Sequence, residues 1–326
     1  MKKLLAVLLC AVLLTGLLAG CGGSPADSGD KLSIVTTIFP EYDWVMQILG
    51  DKSAQADVAM LLDNGVDLHS YQPTADDIIR VSACDMFIYV GGESDSKWVD
   101  GVLAGAANPD MVVINLLEIL GSDVKEEEVK EGMQAEVEEE EGEEEEVEYD
   151  EHVWLSLKNA AKLCRFIADK LCEIDAENKD VYQANADAYV EKLNALDKEY
   201  EAAVGAAQIK TLLFGDRFPF RYLVDDYGLD YYAAFVGCSA ESEASFETIM
   251  FLANKVDELA LPAIMTIEGT DHRIAETIRD TTETKAQTIL TLDSMQSTTS
   301  RDVQNGASYL SIMEKNLETL KAALQE

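Results

Sequence analysis

Positive charge is what this chain lacks most. It has 25 lysines and arginines against 62 aspartates and glutamates, a formal net charge of −37 over 326 residues. That balance argues against nucleic acid and against anionic lipid surfaces as partners, and suits a protein that meets cations. Histidine is scarcer still, with three residues: His69, His152 and His272. Cysteine is present six times, but with no CxxC and no zinc-ribbon spacing. Cys164 and Cys172 lie on one predicted helix at a separation of about 12 Å, too far for a disulfide. Cys84, Cys164, Cys172 and Cys238 therefore read as small buried hydrophobes. There is no HExxH and no nucleophile elbow, so a zinc peptidase or a serine hydrolase has no support, and the chain is not expected to be an enzyme. Past residue 23 no apolar run is long enough to cross a membrane.

What is present begins with a leader. MKKLLAVLLCAVLLTGLLAGCGG places Lys2 and Lys3 before an apolar run from Leu4 to Ala19 and then small residues. That is the layout of a signal peptide, and the run is short for a span of ~20 residues. The ending "LAGC" resembles a bacterial lipobox, which implies cleavage before Cys21 and lipid on its thiol. Residues 1–20 are then the signal and 21–30 a lipidated tether of small polar residues.

The hydrophobic fraction of 48% is ample for real cores, and the remaining length suggests two domains of about 150 residues. "KLSIVTTIF" reads as a strand and "PEYDWVMQILGDK" as a helix opened by Pro40 and closed at Gly50. "AQADVAMLL", "MFIYVGG" and "MVVINLL" read as strands, and "TADDIIRVSACD" as a short helix with Thr74 as N-cap. Two long helical segments follow, the second near 177–206. From residue 209 strands and helices alternate again, ending in "YLSIMEKNLETLKAAL". The expectation is an α/β protein of two α/β lobes, each with a mostly parallel sheet flanked by helices. One long backbone helix, 177–206, joins lobes 31–176 and 207–326. A ligand site belongs at the strands' carboxyl ends, in the cleft between lobes. Between Glu126 and Glu151 lie sixteen acidic residues; segment 125–150 reads as a solvated, disordered insertion in the first lobe.

His69, in "GVDLHSYQPTADDI", and His152, in "YDEHVWLSLKNA", both sit where a loop feeds a helix. Imidazoles among carboxylates suit a divalent metal such as zinc or manganese, although spacing alone does not separate ligands from polar loop residues. His272 reads as a helix-start polar residue. The words "IVTTIFPEYDWV", "GVDLHSYQPTADDI", "DMFIYVGGE", "YDEHVWLSLKNA", "FRYLVDDYGL" and "TLDSM" occur in one order. Together they resemble the metal-binding lipoproteins of ABC importers for zinc or manganese, over residues 31–326.

The resemblance implies one ion in the cleft, held by four side chains. His69 and His152 match the first two ligands, and Asp293 matches the last. The family's third ligand falls at Arg217, which cannot bind a cation. Asp216, one position earlier, is the expected substitute, with Glu268 or water as alternatives, and Arg217 could pair with a nearby acid. The implied function is capture of Zn2+, with Mn2+ possible, and delivery to a membrane permease. The chain would act as a lipid-anchored monomer on the extracytoplasmic face of a bacterial membrane. The alternatives are a manganese-specific relative and a surface adhesin or scaffold with a structural metal; a metallohydrolase is the enzymatic alternative.

Overall fold

A computed structural model describes residues 31–134, 148–239 and 243–325. The expected leader and lipidation site at Cys21 lie outside these residues. Among those described, no helix is long and apolar enough to cross a membrane.

Strand β1 (Leu32–Thr36) is shorter than its β-branched run suggests. Glu41 explains the stop: its carboxylate accepts from Thr37 N at 2.8 Å and Ile38 N at 3.3 Å, starting α1 (Phe39–Leu49) in the capping-box manner. Gly50 closes α1 at φ 52°, a conformation that favours glycine. β2 (Ala56–Met60), α2 (Ala75–Ala83), β3 (Met86–Tyr89) and β4 (Val112–Asn115) follow. Thr74 caps α2 as expected, accepting from Asp77 N. Between β3 and β4 stands α3 (Glu93–Ala104), which the sequence reading did not anticipate. Its Gly-Gly entry and polar first turn hide the apolar spacing of Val99 and Val102, both buried.

The first sheet has the order β2-β1-β3-β4, and β1, β3 and β4 run parallel. After α4 (Leu116–Leu120) come α5 (Leu157–Ile174) and α6 (Lys179–Ala206). The second sheet uses β5 (Thr211–Phe218), β6 (Asp230–Val236), β7 (Ala263–Ile267) and β8 (Thr288–Leu292) in the order β6-β5-β7-β8, all parallel. Helices α7 (Arg221–Tyr227), α8 (Phe246–Glu258), α9 (Arg273–Thr281), α10 (Ser300–Gln304) and α11 (Tyr309–Ala323) complete the chain. The fold is the expected two-lobe α/β arrangement.

Helix α6 buries a stripe of Tyr182, Ala186, Tyr189, Leu193, Leu196, Tyr200 and Val204, the i, i+3, i+4 spacing of an amphipathic helix. Two tyrosines on it reach opposite ends of the chain. Tyr189 Oη donates to Asp43 of α1 at 3.1 Å, and Tyr200 Oη donates to the Met313 carbonyl of α11 at 2.6 Å. Beneath the second sheet, Leu213, Phe235, Leu252, Val256, Ile264 and Ile278 form a closed apolar core.

The acidic insertion differs from the expectation at its ends. Glu126 bridges Tyr149 antiparallel, and Gln134 bridges Phe235 on β6. Lys125 N donates to Tyr222 Oη at 3.0 Å, and Lys130 pairs with Asp230. Its roots are thus bound to the second lobe by polar contacts that charge counting alone does not reveal. Residues 135–147, which hold most of the glutamate run, lie outside those described.

Candidate metal centre

The candidate residues stand at the carboxyl ends of strands, where loops from both sheets meet. After β2, the chain makes a single 3-10 turn over Leu68–Ser70, capped by Asp67, whose carboxylate accepts from His69 N at 2.9 Å. This fixes the backbone of His69. Its Nδ1 lies 2.9 Å from Ser94 Oγ at the start of α3 and 3.5 Å from Glu151 Oε2. Glu151 Oε1 accepts from Ser94 N at 2.9 Å, while Glu151 Oε2 is buried with no hydrogen-bond partner.

His152 leads into another 3-10 turn, Val153–Leu155. Asp150 Oδ1 accepts from both His152 N at 2.8 Å and His152 Nδ1 at 3.0 Å. A carboxylate only accepts, so Nδ1 carries the hydrogen and Nε2 of the neutral ring presents its lone pair. That atom faces His69 Nε2 at 3.2 Å. Both Nδ1 atoms are thus engaged from behind and both Nε2 atoms face each other. Trp154 packs at a tilt against the His152 ring and donates from Nε1 to the Ser294 carbonyl at 2.8 Å, tying this turn to the loop after β8.

The pair divides its protons unequally. Burial, reinforced by the charge of neighbouring His152, pushes His69 down to about 3. Burial also pulls on His152, but the Asp150 carboxylate outweighs it and leaves its pKa raised. A neutral His69 beside an Asp150-oriented His152 is a receptive arrangement for a cation. Two nitrogens on one tetrahedral zinc, at 2.0–2.1 Å each, stand about 3.3 Å apart. The observed 3.2 Å separation fits that edge.

The second lobe contributes differently. Asp216 lies within β5, where the pairing with β6 shifts register between Phe214 and Arg217. Such a bulge re-aims side chains, and the Asp216 carboxylate turns toward β7. It accepts from Thr270 Oγ1 at 2.9 Å, Ile267 N at 3.3 Å and Arg217 N at 3.0 Å. Burial nonetheless raises its pKa. Arg217 reaches across and pairs with Asp67, as the sequence reading allowed. Burial pushes the Asp67 carboxyl up, but the Arg217 guanidinium more than offsets this and its pKa is lowered. Gln296, with its amide nitrogen toward Asp67, donates to Oδ2 at 2.9 Å.

Asp293 accepts from Met295 N at 2.8 Å, and Glu268 accepts from Ser294 N at 2.7 Å, Ser294 Oγ at 2.8 Å and Gln296 N at 3.1 Å. Burial raises both carboxyl pKa values. His272 stands at the N-terminal boundary of α9 in the left-handed region at φ 57°, with no side-chain bond to the helix and its Nδ1 near Thr270.

Among the described residues, the group whose ligand atoms lie within 4.8 Å of one another is His69, His152 and Cys238. The structure therefore brings the two expected histidines together, while Asp216, Asp293 and Glu268 are not part of that group. Cys238 corrects the reading of all four cysteines as buried hydrophobes: Cys84 and Cys164 are buried, but Cys172 and Cys238 are partly exposed. The available signal was positional. Cys238 follows Gly237 at the carboxyl end of β6, the edge where ligands of parallel sheets collect.

Comparison with known proteins places these observations in a lineage. The family described as "ZnuA: Zinc-uptake complex component A periplasmic" matches residues 34–323. The high-affinity zinc uptake system protein ZnuA of Bacillus subtilis is 32% identical over 313 residues, 94% of each chain. The zinc-binding lipoprotein AdcA of Streptococcus pneumoniae is 32% identical over 98% of this chain, which spans only 61% of AdcA. Among solved structures, the Zn(II)-bound ZnuA-like domain of Streptococcus pneumoniae AdcA superposes with a TM-score of 0.71 at 30% identity, covering 91% of this chain and all of that one.

Proposed function

The chain belongs to the family of periplasmic zinc-uptake complex components A, a transport component and not an enzyme, and from that premise we propose that it captures zinc outside the cytoplasm and passes it to an ABC permease. His69 and His152 are the first two ligands in this reading. The observation that carries it is their facing Nε2 pair, 3.2 Å apart, with each Nδ1 braced by a separate partner. Such outer partners orient imidazole ligands and raise their basicity. Imidazole nitrogens also favour zinc over manganese at the same site.

Segments 31–176 and 207–326 serve as the two lobes, and 177–206 as the backbone between them. Lipid on Cys21 would hold a monomer at the membrane surface. Asp216 and Asp293 are the further ligands in this reading; each accepts from its own loop, at Thr270 and Met295, and keeps lone pairs to offer an ion. Their present bonds also hold the loops after β7 and β8. The name of the Streptococcus pneumoniae relative AdcA, a zinc-binding lipoprotein, supports both the cargo and the anchor.

The test is metal analysis of the full-length chain, purified in mild detergent without added metal, followed by competitive zinc and manganese titration. One zinc per chain, displacing manganese, is expected. A chain that takes up no zinc would overturn the proposal.

A further inference from the structure

Resting on the zinc-capture reading, we infer that Cys238 supplies a thiolate ligand to the ion held by His69 and His152, closing the site from the second lobe. Its Sγ lies within 4.8 Å of the ligand nitrogens of both histidines. On a tetrahedral zinc with Zn–S near 2.3 Å and Zn–N near 2.0–2.1 Å, sulfur and nitrogen stand about 3.6 Å apart. A movement of about 1 Å at the β6 loop therefore completes three-point coordination.

The backbone is built to hold that position. A Cβ on Gly237 would come within 3.0 Å of His152 Cε1 and 2.9 Å of the Phe218 carbonyl, so the glycine lets β6 run directly under the imidazole. Cys238 N then donates to Glu127 Oε1 at 3.2 Å, fixing the loop against the root of the acidic insertion. Two neighbouring side chains of the second lobe are engaged elsewhere. Asp216 is bound by Thr270, and Arg217 pairs with Asp67 and has no lone pair to give.

Coordination replaces the thiol hydrogen by the ion, and the proton leaves to solvent. The resulting set of two imidazoles and one thiolate is softer than imidazole with carboxylate. It selects zinc against manganese, magnesium and calcium. It also gives the two lobes distinct tasks. The first lobe presents the imidazoles, and the second brings the thiolate, so opening the lobes removes one ligand and weakens the hold on the cargo.

Cobalt(II) is the probe that reports sulfur ligation. The full-length chain in mild detergent, kept reduced and loaded with one cobalt, should show an intense near-ultraviolet thiolate-to-cobalt charge-transfer band. Cys238→Ser should abolish the band and weaken zinc binding about 100-fold or more, while Cys172→Ser keeps both. In the unmodified chain, zinc should shield Cys238 from iodoacetamide, as mapped by mass spectrometry. Zinc bound stoichiometrically with no cobalt–thiolate band, or equal alkylation of Cys238 with and without zinc, would overturn the inference and leave the zinc-capture reading intact. A chain that binds no zinc at all would overturn both.

Discussion

On the first-lobe wall of the site, each imidazole is braced before any ion arrives: His69 by Ser94 and His152 by Asp150, with both Nε2 atoms turned inward. On the second-lobe wall, the carboxylates already accept hydrogen bonds from their own loops. Asp216 holds Thr270, and Glu268 holds Ser294 and Gln296. The contrast teaches that the number of acids near a cleft says little about which of them bind metal. A carboxylate has about four lone-pair sites, so one that accepts from its own loop can still reach an ion, and its hydrogen bonds alone do not tell a ligand from a loop brace. An imidazole braced at Nδ1 gives up only its contact with the other imidazole.

The comparison breaks most visibly at the braced wall. His152→Ala should reduce zinc affinity more than any single change on the carboxylate side, by about 100-fold or more. Calorimetric titration checks this, and circular dichroism should show an intact fold. Asp150→Asn keeps the shape but exchanges a carboxylate acceptor for an amide behind His152. A loss of about 10–100-fold in zinc affinity is expected.

Gly237→Ala probes the seam between the walls. The added methyl meets the His152 ring and the Phe218 carbonyl, so a destabilisation of about 1–3 kcal/mol is expected in thermal unfolding. A smaller, several-fold weakening of zinc binding should accompany it.

The smallest effect on zinc belongs to Asp95. It is buried at the start of α3 with Oδ1 unpartnered, and burial, aided by the Glu151 charge, raises its pKa from 3.8 to about 7. A raised carboxyl pKa means the folded chain holds a proton that the unfolded chain releases. Its contribution is therefore whole below about pH 4 and lost as the pH climbs through about 7. Asp95→Asn should gain about 1–3 kcal/mol at pH 8, with the gain fading toward pH 4. Zinc affinity should hold within a few-fold.

Much of this was legible in the sequence because it is written in local chemistry. Strands such as "MFIYVGG", the Thr74 cap and the apolar spacing of α6 each announce themselves within a few residues. The two-lobe fold followed from the alternation of strands and helices, and the prominence of His69 and His152 from the family resemblance carried by the words around them. What stayed hidden depends on contacts between distant segments. The bulge in β5 decides which way Asp216 points. Gly237 matters because His152, 85 residues earlier, lies over it. Cys238 looks like any small apolar residue until β6 is placed beside the histidines. The roots of the acidic insertion looked solvated because their partners, Tyr222, Phe235 and Asp230, lie far along the chain. Helix α3 was missed for a local reason, a Gly-Gly entry followed by polar residues.

The most direct test of the central claim is X-ray absorption at the zinc edge of the zinc-loaded, full-length chain. The spectrum should carry the multiple-scattering pattern of two imidazoles with nitrogens at about 2.0–2.1 Å, and beside them one sulfur at about 2.3 Å. A shell of oxygens alone, without imidazole scattering, would contradict the claim.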